Sequence, residues 1–100
     1  MPQPLLAAFP EPNGRVNDFA GILDTATTTQ IAAIVREVER LTSAEIAVAT
    51  VTSLDGMSVE EYANRLFHEW GVGKKDRDNG ILLLVAPHER KVRIEVGMMG

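Results

Sequence analysis

The stretch that decides the fold is Trp70 to Gly97, WGVGKKDRDNGILLLVAPHERKVRIEVG. It runs from the end of a helical pattern, through a polar loop punctuated by glycine, into two strand patterns. Ile81 to Ala86 carries no polar residue, as expected of a central strand covered on both faces. Lys91 to Val96 alternates strictly, with Val92, Ile94 and Val96 on one face and Lys91, Arg93 and Glu95 on the other. Pro87-His88-Glu89-Arg90 between them is short enough for a hairpin.

Working back towards the N-terminus, Ser58 starts a helix with Glu61 three residues on, the spacing of a capping box. Its apolar stripe is Val59, Tyr62, Ala63, Leu66, Phe67 and Trp70, and Gly71 and Gly73 are candidates to end it. Trp70→Ala is expected to be among the most damaging single changes. Ser53 to Gly56 has turn composition. Before it, Glu45 to Val51 reads as a strand, with Ile46 and Val48 on one face and Ala47, Ala49 and Val51 on the other. Upstream again, Asp24 is a good helix N-cap. Ile31, Ile34, Val35, Val38 and Leu41 follow as the stripe of an amphipathic helix that ends at Thr42, Ser43 and Ala44. The residues Val16 to Leu23 form no clear period.

Strand, helix and central strand make a parallel right-handed βαβ unit, to which the hairpin adds an antiparallel strand. The expected fold class is α/β, a three-layer α/β/α-type domain with a small mixed sheet. Residues 1–15 read as a flexible Pro-rich N-terminal segment, and residues 16–100 as the domain proper. With two helices and a solvated face on the last strand, the pattern looks like the front of a longer domain, truncated at its C-terminus.

Bulk properties narrow the function. The 100 residues include 45% hydrophobic and 24% charged residues, with a formal charge of −4. Acids and bases are mixed along the chain, which gives no nucleic-acid surface. No apolar run approaches the roughly 18–20 residues of a membrane span. The chain has no cysteine, so it offers no disulfide framework and no thiolate nucleophile.

The polar cluster Asp76, Asp78 and Asn79 lies in the loop before the central strand. Hard cations take several oxygen ligands, which these side chains and nearby carbonyls could supply. The other reading is a solvated turn into the strand, with Gly80 at positive φ. The loop is not an EF-hand, since Gly80 comes one place early and Pro87 stands where the closing Glu would be. Asp55 lies beyond the opposite ends of the parallel strands, about 20 Å from Asp78, so those two share no ligand. Asp18 is close enough in sequence to reach either end, which makes Asp18, Asp76, Asp78 and Asn79 the candidate metal site. Asp18 and Asp78 are the candidate catalytic acids. Lys74, Lys75 and Arg77 flank them and could clamp a phosphate ester, or simply form a solvated loop. His68 and His88 have no partner at triad spacing and read as surface imidazoles; Met98 and Met99 read as end-of-strand packing.

Four strings in order, VNDFAGIL, AEIAVATVTSL, SVEEYANRLFHEWGVG and DNGILLLVAPHERKVRIEVG, resemble the TPM domain. This family is named after a thylakoid photosystem II repair protein and includes bacterial relatives. The resemblance covers Val16 to Gly97. It implies an α/β/α fold, an extracytoplasmic location in the periplasm or cell envelope, and membrane association through a downstream anchor. It also implies calcium binding by acidic residues, an acid phosphatase activity and a partner in membrane-protein maintenance. Members continue after the third strand with G-Y-G-L-E and a Thr-Asp motif. Here Gly97 is followed by Met98, Met99 and Gly100, so a site that needs the downstream Asp is incomplete in these residues. Two functions stay open: a divalent-cation-binding module, and a cation-assisted acid phosphatase using Asp18, Asp76 and Asp78 with Asn79 assisting.

Overall fold

The second helical pattern forms where its caps place it. In the computed structural model, which describes residues 9–73 and 79–97, α2 spans Val59–Trp70. The Ser58 side chain accepts the Glu61 amide at 3.0 Å, and Gly71 closes the helix at φ 62°. Val59, Tyr62, Ala63, Leu66 and Phe67 are buried. Trp70 is only half-buried, and its indole N–H donates to the Pro10 carbonyl at 2.8 Å. Leu66 of the same stripe has no exposed surface at all.

Helix α1 spans Thr25–Thr42, with the Asp24 carboxylate accepting the Thr27 amide at 2.7 Å and Ser43 in the left-handed region at φ 66°. Its stripe behaves differently from expectation. Only Val35 is buried, while Ile34, Val38 and Leu41 are exposed.

The sheet has four strands, β1 (Val16–Asp18), β2 (Glu45–Thr50), β3 (Gly80–Ala86) and β4 (Lys91–Val96), in the order β1-β2-β3-β4. β1 and β2 are parallel, β2 and β3 are parallel, and β3 and β4 are antiparallel. β2 and β3 match the expected strands to within a residue. β1 adds a strand that periodicity did not reveal, because three residues with a single aliphatic side chain carry no alternation. Its central residue, Asn17, is held by hydrogen bonds instead. The buried amide donates to the Val48 carbonyl at 3.1 Å and the Gly14 carbonyl at 3.3 Å, and its oxygen accepts the Asn13 amide.

The helices lie on opposite faces. Helix α2 packs with Ala47, Ala49, Leu82, Leu84 and Ala86 to form the main core. Helix α1 touches β1 and β2 and makes no contact with α2; Val35 and Val48 are buried there, outside the main core. The register of β4 then corrects the notion of a solvated polar face. Lys91, Arg93 and Glu95 stand opposite Ala86, Leu84 and Leu82, on the α2 side. Arg93 and Glu95 are half-buried there, and the Asn64 amide of α2 donates to Glu95 at 3.1 Å. It is the apolar row Val92, Ile94 and Val96 that lies open.

The described part of the lead-in makes contacts with both α2 and β2. The ring of Phe9 meets Tyr62 edge-on at 5.1 Å, and the Arg15 carbonyl accepts the Val48 amide at 2.7 Å. Residues 9–15 are thus fastened across α2 and onto β2, and residues 1–8 lie outside the described residues.

Leu66→Ala should lower stability by about 3 kcal/mol, the usual cost of emptying a filled aliphatic site. Leu41→Ala, on the open side of α1, should cost less than about 0.5 kcal/mol. Chemical denaturation of the two variants measures both, and equal losses would mean that the two helix faces have been misassigned.

Candidate functional site

The parallel strands give the sheet two distinct ends, and the candidate residues divide between them. Glu45 pairs with Gly80 at the N-terminal end of β2, and Thr50 pairs with Asp18 at the C-terminal end. Five residue steps separate them, about 17 Å at the usual strand rise. Asn79, one residue before Gly80, therefore lies at the end opposite Asp18. The structure thus does not bring Asp18 and Asn79 of the candidate set together. Asp76 and Asp78 lie outside the described residues, as do Lys74, Lys75, Arg77, Met98 and Met99.

Asp18 has a structural task. One carboxylate oxygen accepts the Thr50 hydroxyl at 2.6 Å and the Ile22 amide at 3.0 Å; the other accepts the Leu23 amide at 2.9 Å. Thr50 in turn takes the Ala20 amide at 3.0 Å on its hydroxyl. The carboxylate thereby folds residues 19–23 into the turn that delivers the chain to α1. The Thr50 hydroxyl and then the Leu23 and Ile22 amides hold the Asp18 carboxyl below its ordinary range, against the opposing effect of partial desolvation.

At the other end, a polar loop leaves α2 and returns as β3, and its two roots press together. A Cβ on Gly80 would run into the Val72 carbonyl, and one on Gly73 would come within 2.6 Å of the Gly80 nitrogen. Gly73 also sits at φ +85°, a conformation L side chains rarely adopt. Gly80 is thus required for close approach; it is absent from the positive-φ positions, contrary to the turn reading. Glu45 locks this stem. Its carboxylate accepts the Gly73 amide at 2.5 Å, and its own amide donates to the Asn79 carbonyl at 3.0 Å. The Asn79 side chain donates to the Ser43 carbonyl. Asn79 is thus a stem residue, and Glu45 is a functional candidate that sequence reasoning missed. The only signal was an acid at the first position of an otherwise apolar strand.

A cavity of about 380 Å³ opens beside the stem, lined by Arg15, Glu39, Glu45, Trp70 and Val72 among others. Glu39 accepts the Arg15 side chain at 2.7 Å and the Ile46 amide at 2.9 Å. Among the described residues no three acidic or histidine side chains converge on one point. His88 lines another cavity, of about 300 Å³, with Pro87, Ala20, Ile22 and Thr52, and His68 lies edge-on to Phe67 at 5.8 Å. Neither histidine adjoins the loop stem.

Gly80→Ala should destabilise the domain by about 2 kcal/mol or more, since backbone rather than a movable side chain occupies the space; a thermal melt within 1 °C of the parent, roughly 0.2 kcal/mol, would contradict the pinched stem. Asp18 supplies a pH test. Its carboxyl lies lower in the folded protein than in the unfolded chain, so its contribution is complete above the ordinary value of about 3.9 and fades as pH falls through the folded value. Asp18→Asn should therefore lose stability at neutral pH and show a shallower decline below about pH 4. Denaturation midpoints across pH 2–7 check this, and parallel curves for the two proteins would remove the brace.

The family model for the TPM domain matches residues 16–99. The solved N-terminal domain of a protein from P. gingivalis is 33% identical, with a TM-score of 0.75, over 82% of this chain and 52% of that one. The solved N-terminal domain of a protein from Corynebacterium glutamicum is 27% identical, with a TM-score of 0.73, over 96% of this chain and 62% of that one. The chain thus spans between half and two thirds of the solved domains it resembles. No match was found among curated proteins. Helices and strands in the same arrangement and a family match over nearly the whole described domain lead to one assignment: the chain belongs to the TPM domain family.

Proposed function

We propose that this domain is a divalent-cation-binding module, with calcium as the first candidate ion, and that the ion is taken by the loop between α2 and β3. Asp76 and Asp78 supply the charged oxygens, and the stem formed by Gly73, Asn79, Gly80 and Glu45 holds the loop short. The observation that carries this reading is the Glu45 carboxylate locked on the Gly73 amide at 2.5 Å. With the Glu45 amide donating to the Asn79 carbonyl at 3.0 Å, both roots are fixed on a loop whose sequence alternates acid, base, acid before Asn79. Hard cations favour such oxygen-rich loops, and carbonyls of the loop backbone are suitable further ligands. Asp18 has no part in this site, because its oxygens brace the turn into α1 at the far end of the sheet.

The setting we propose is that of the family resemblance: an extracytoplasmic, membrane-associated protein that meets a partner in membrane-protein maintenance. No helix among the described residues is long and apolar enough to cross a membrane, so the association would come from elsewhere in the protein. Hydrolysis of a phosphate ester is the second reading, favoured by the sequence position of Lys74, Lys75 and Arg77 in the same loop. It requires Asp78→Asn to abolish turnover while leaving the fold intact.

An amide NMR titration with calcium and then magnesium tests the principal reading. Saturable shifts at Glu45, Gly73, Asn79 and Gly80, lost in Asp78→Asn, are the expected result. A dispersed spectrum unmoved at millimolar ion, or shifts centred on Asp18 to Leu23, would overturn it.

A further inference from the structure

The lead-in is tied to the sheet only from Asn13 onward. There the Asn17 side chain takes the Asn13 amide and donates to the Gly14 carbonyl at 3.3 Å, and Gly14 turns the chain at φ 83°. Residues 9–12 lie along α2 instead. Among the described residues, their one hydrogen bond is the one the Pro10 carbonyl receives from the Trp70 indole at 2.8 Å. Neither Pro10 nor Pro12 has an amide N–H to give. The Phe9 ring stands edge-on to Tyr62 at 5.1 Å. Phe9 and Pro10 are half-buried, whereas Glu11 and Pro12 are exposed. One ring contact and one indole N–H hold this strap, so it is docked on the helix and not woven into the fold.

The chemistry of the strap is specific. In Phe9-Pro10-Glu11-Pro12 every residue is a proline or precedes one. Proline fixes its own φ near −65°, and the residue before it is pushed to extended backbone. The segment is therefore preset as a polyproline II stretch, which lowers the entropy lost on docking. Such a stretch makes no internal hydrogen bonds, so its carbonyls stay open to an outside donor. Aromatic side chains on a groove wall are the usual receptors for it. Helix α2 supplies that receptor. Eight helix residues put Tyr62 and Trp70 about 12 Å apart, and three polyproline steps from Phe9 to Pro12 cover about 9 Å. Phe9 meets Tyr62 at one end, and Pro12 and Trp70 line one cavity at the other.

We propose that the Tyr62–Trp70 ledge of α2 is a docking site for a proline-rich segment of a partner protein, of the pattern aromatic-Pro-x-Pro, which the chain's own lead-in occupies in the partner's absence. The partner's aromatic ring takes the place of Phe9 on Tyr62, and a proline carbonyl takes the Trp70 indole N–H. The strap is released by swinging about Asn13 and Gly14, which leaves β1 in the sheet. Ion binding at the loop has no part in this.

The test uses two isotope-labelled variants of the full chain with a loosened strap. One is Phe9→Ala, and the other combines Pro10→Ala with Pro12→Ala. Each is titrated with a peptide of residues 9–15 and with a second peptide that keeps only a Tyr-Pro-Ser-Pro core in an unrelated sequence. Both peptides should shift the Tyr62 amide and the Trp70 indole N–H saturably. The unaltered chain should need roughly tenfold more of either, because a tethered strap competes at a millimolar effective concentration. A Trp70 indole signal unmoved by millimolar peptide in both variants would overturn the proposal. So would binding of the chain's own sequence alone, which would make the ledge a seat for the lead-in and nothing else. Equal binding of a peptide with alanine in place of both prolines would do the same.

Discussion

The structure depends on the burial of β3. Leu82, Leu84 and Ala86 have no exposed surface, and Leu66 of α2 is equally enclosed. β3 has a strand on either side of it and a helix over one face. Its backbone is therefore satisfied by the sheet while its side chains account for much of the core. The polar elements take their positions from this strand. The loop stem is rooted at its first residue, the hairpin starts from its last, and β2 is registered against it along its whole length.

Much of this was legible because the residues involved are periodic. The six-residue run of β3, the alternation of β4 and the stripe of α2 each announce an element and a face. Two features were not legible. β1 owes its place to the buried amide of Asn17, a polar residue in a three-residue segment, and side-chain hydrogen bonds leave no period in a sequence. The open faces of α1 and β4 are the other case. An apolar row implies burial against something, and the sequence does not say whether that partner lies within these residues. In β4 the apolar row is outside, because the register sets Glu95, Arg93 and Lys91 beside Leu82, Leu84 and Ala86 on the α2 side, where Asn64 reaches Glu95.

The candidate site was legible only in part for a similar reason. Aspartates can be counted in a sequence, but which end of the sheet each one serves depends on strand direction. Asp18 and Asn79 are separated by the length of β2 once β1 is seen to run parallel to it. Their chemistry then differs. Asp18 organises a turn through three donors, whereas Asn79 belongs to the stem that Glu45 locks. Glu45 looked like the polar edge of a strand, and the close approach of Gly73 and Gly80 gives it its role.

β1 covers only the second half of β2, so the strand is left with a bare stretch of edge at Ile46. Unpaired edge backbone is where one protein chain can zip onto another. The Glu39 carboxylate occupies that amide, with Arg15 holding the carboxylate in turn. An incoming strand would have to displace a charged side chain and break its ion pair before making its first backbone hydrogen bond. A helix side chain thus protects the sheet from adventitious growth where the short first strand stops.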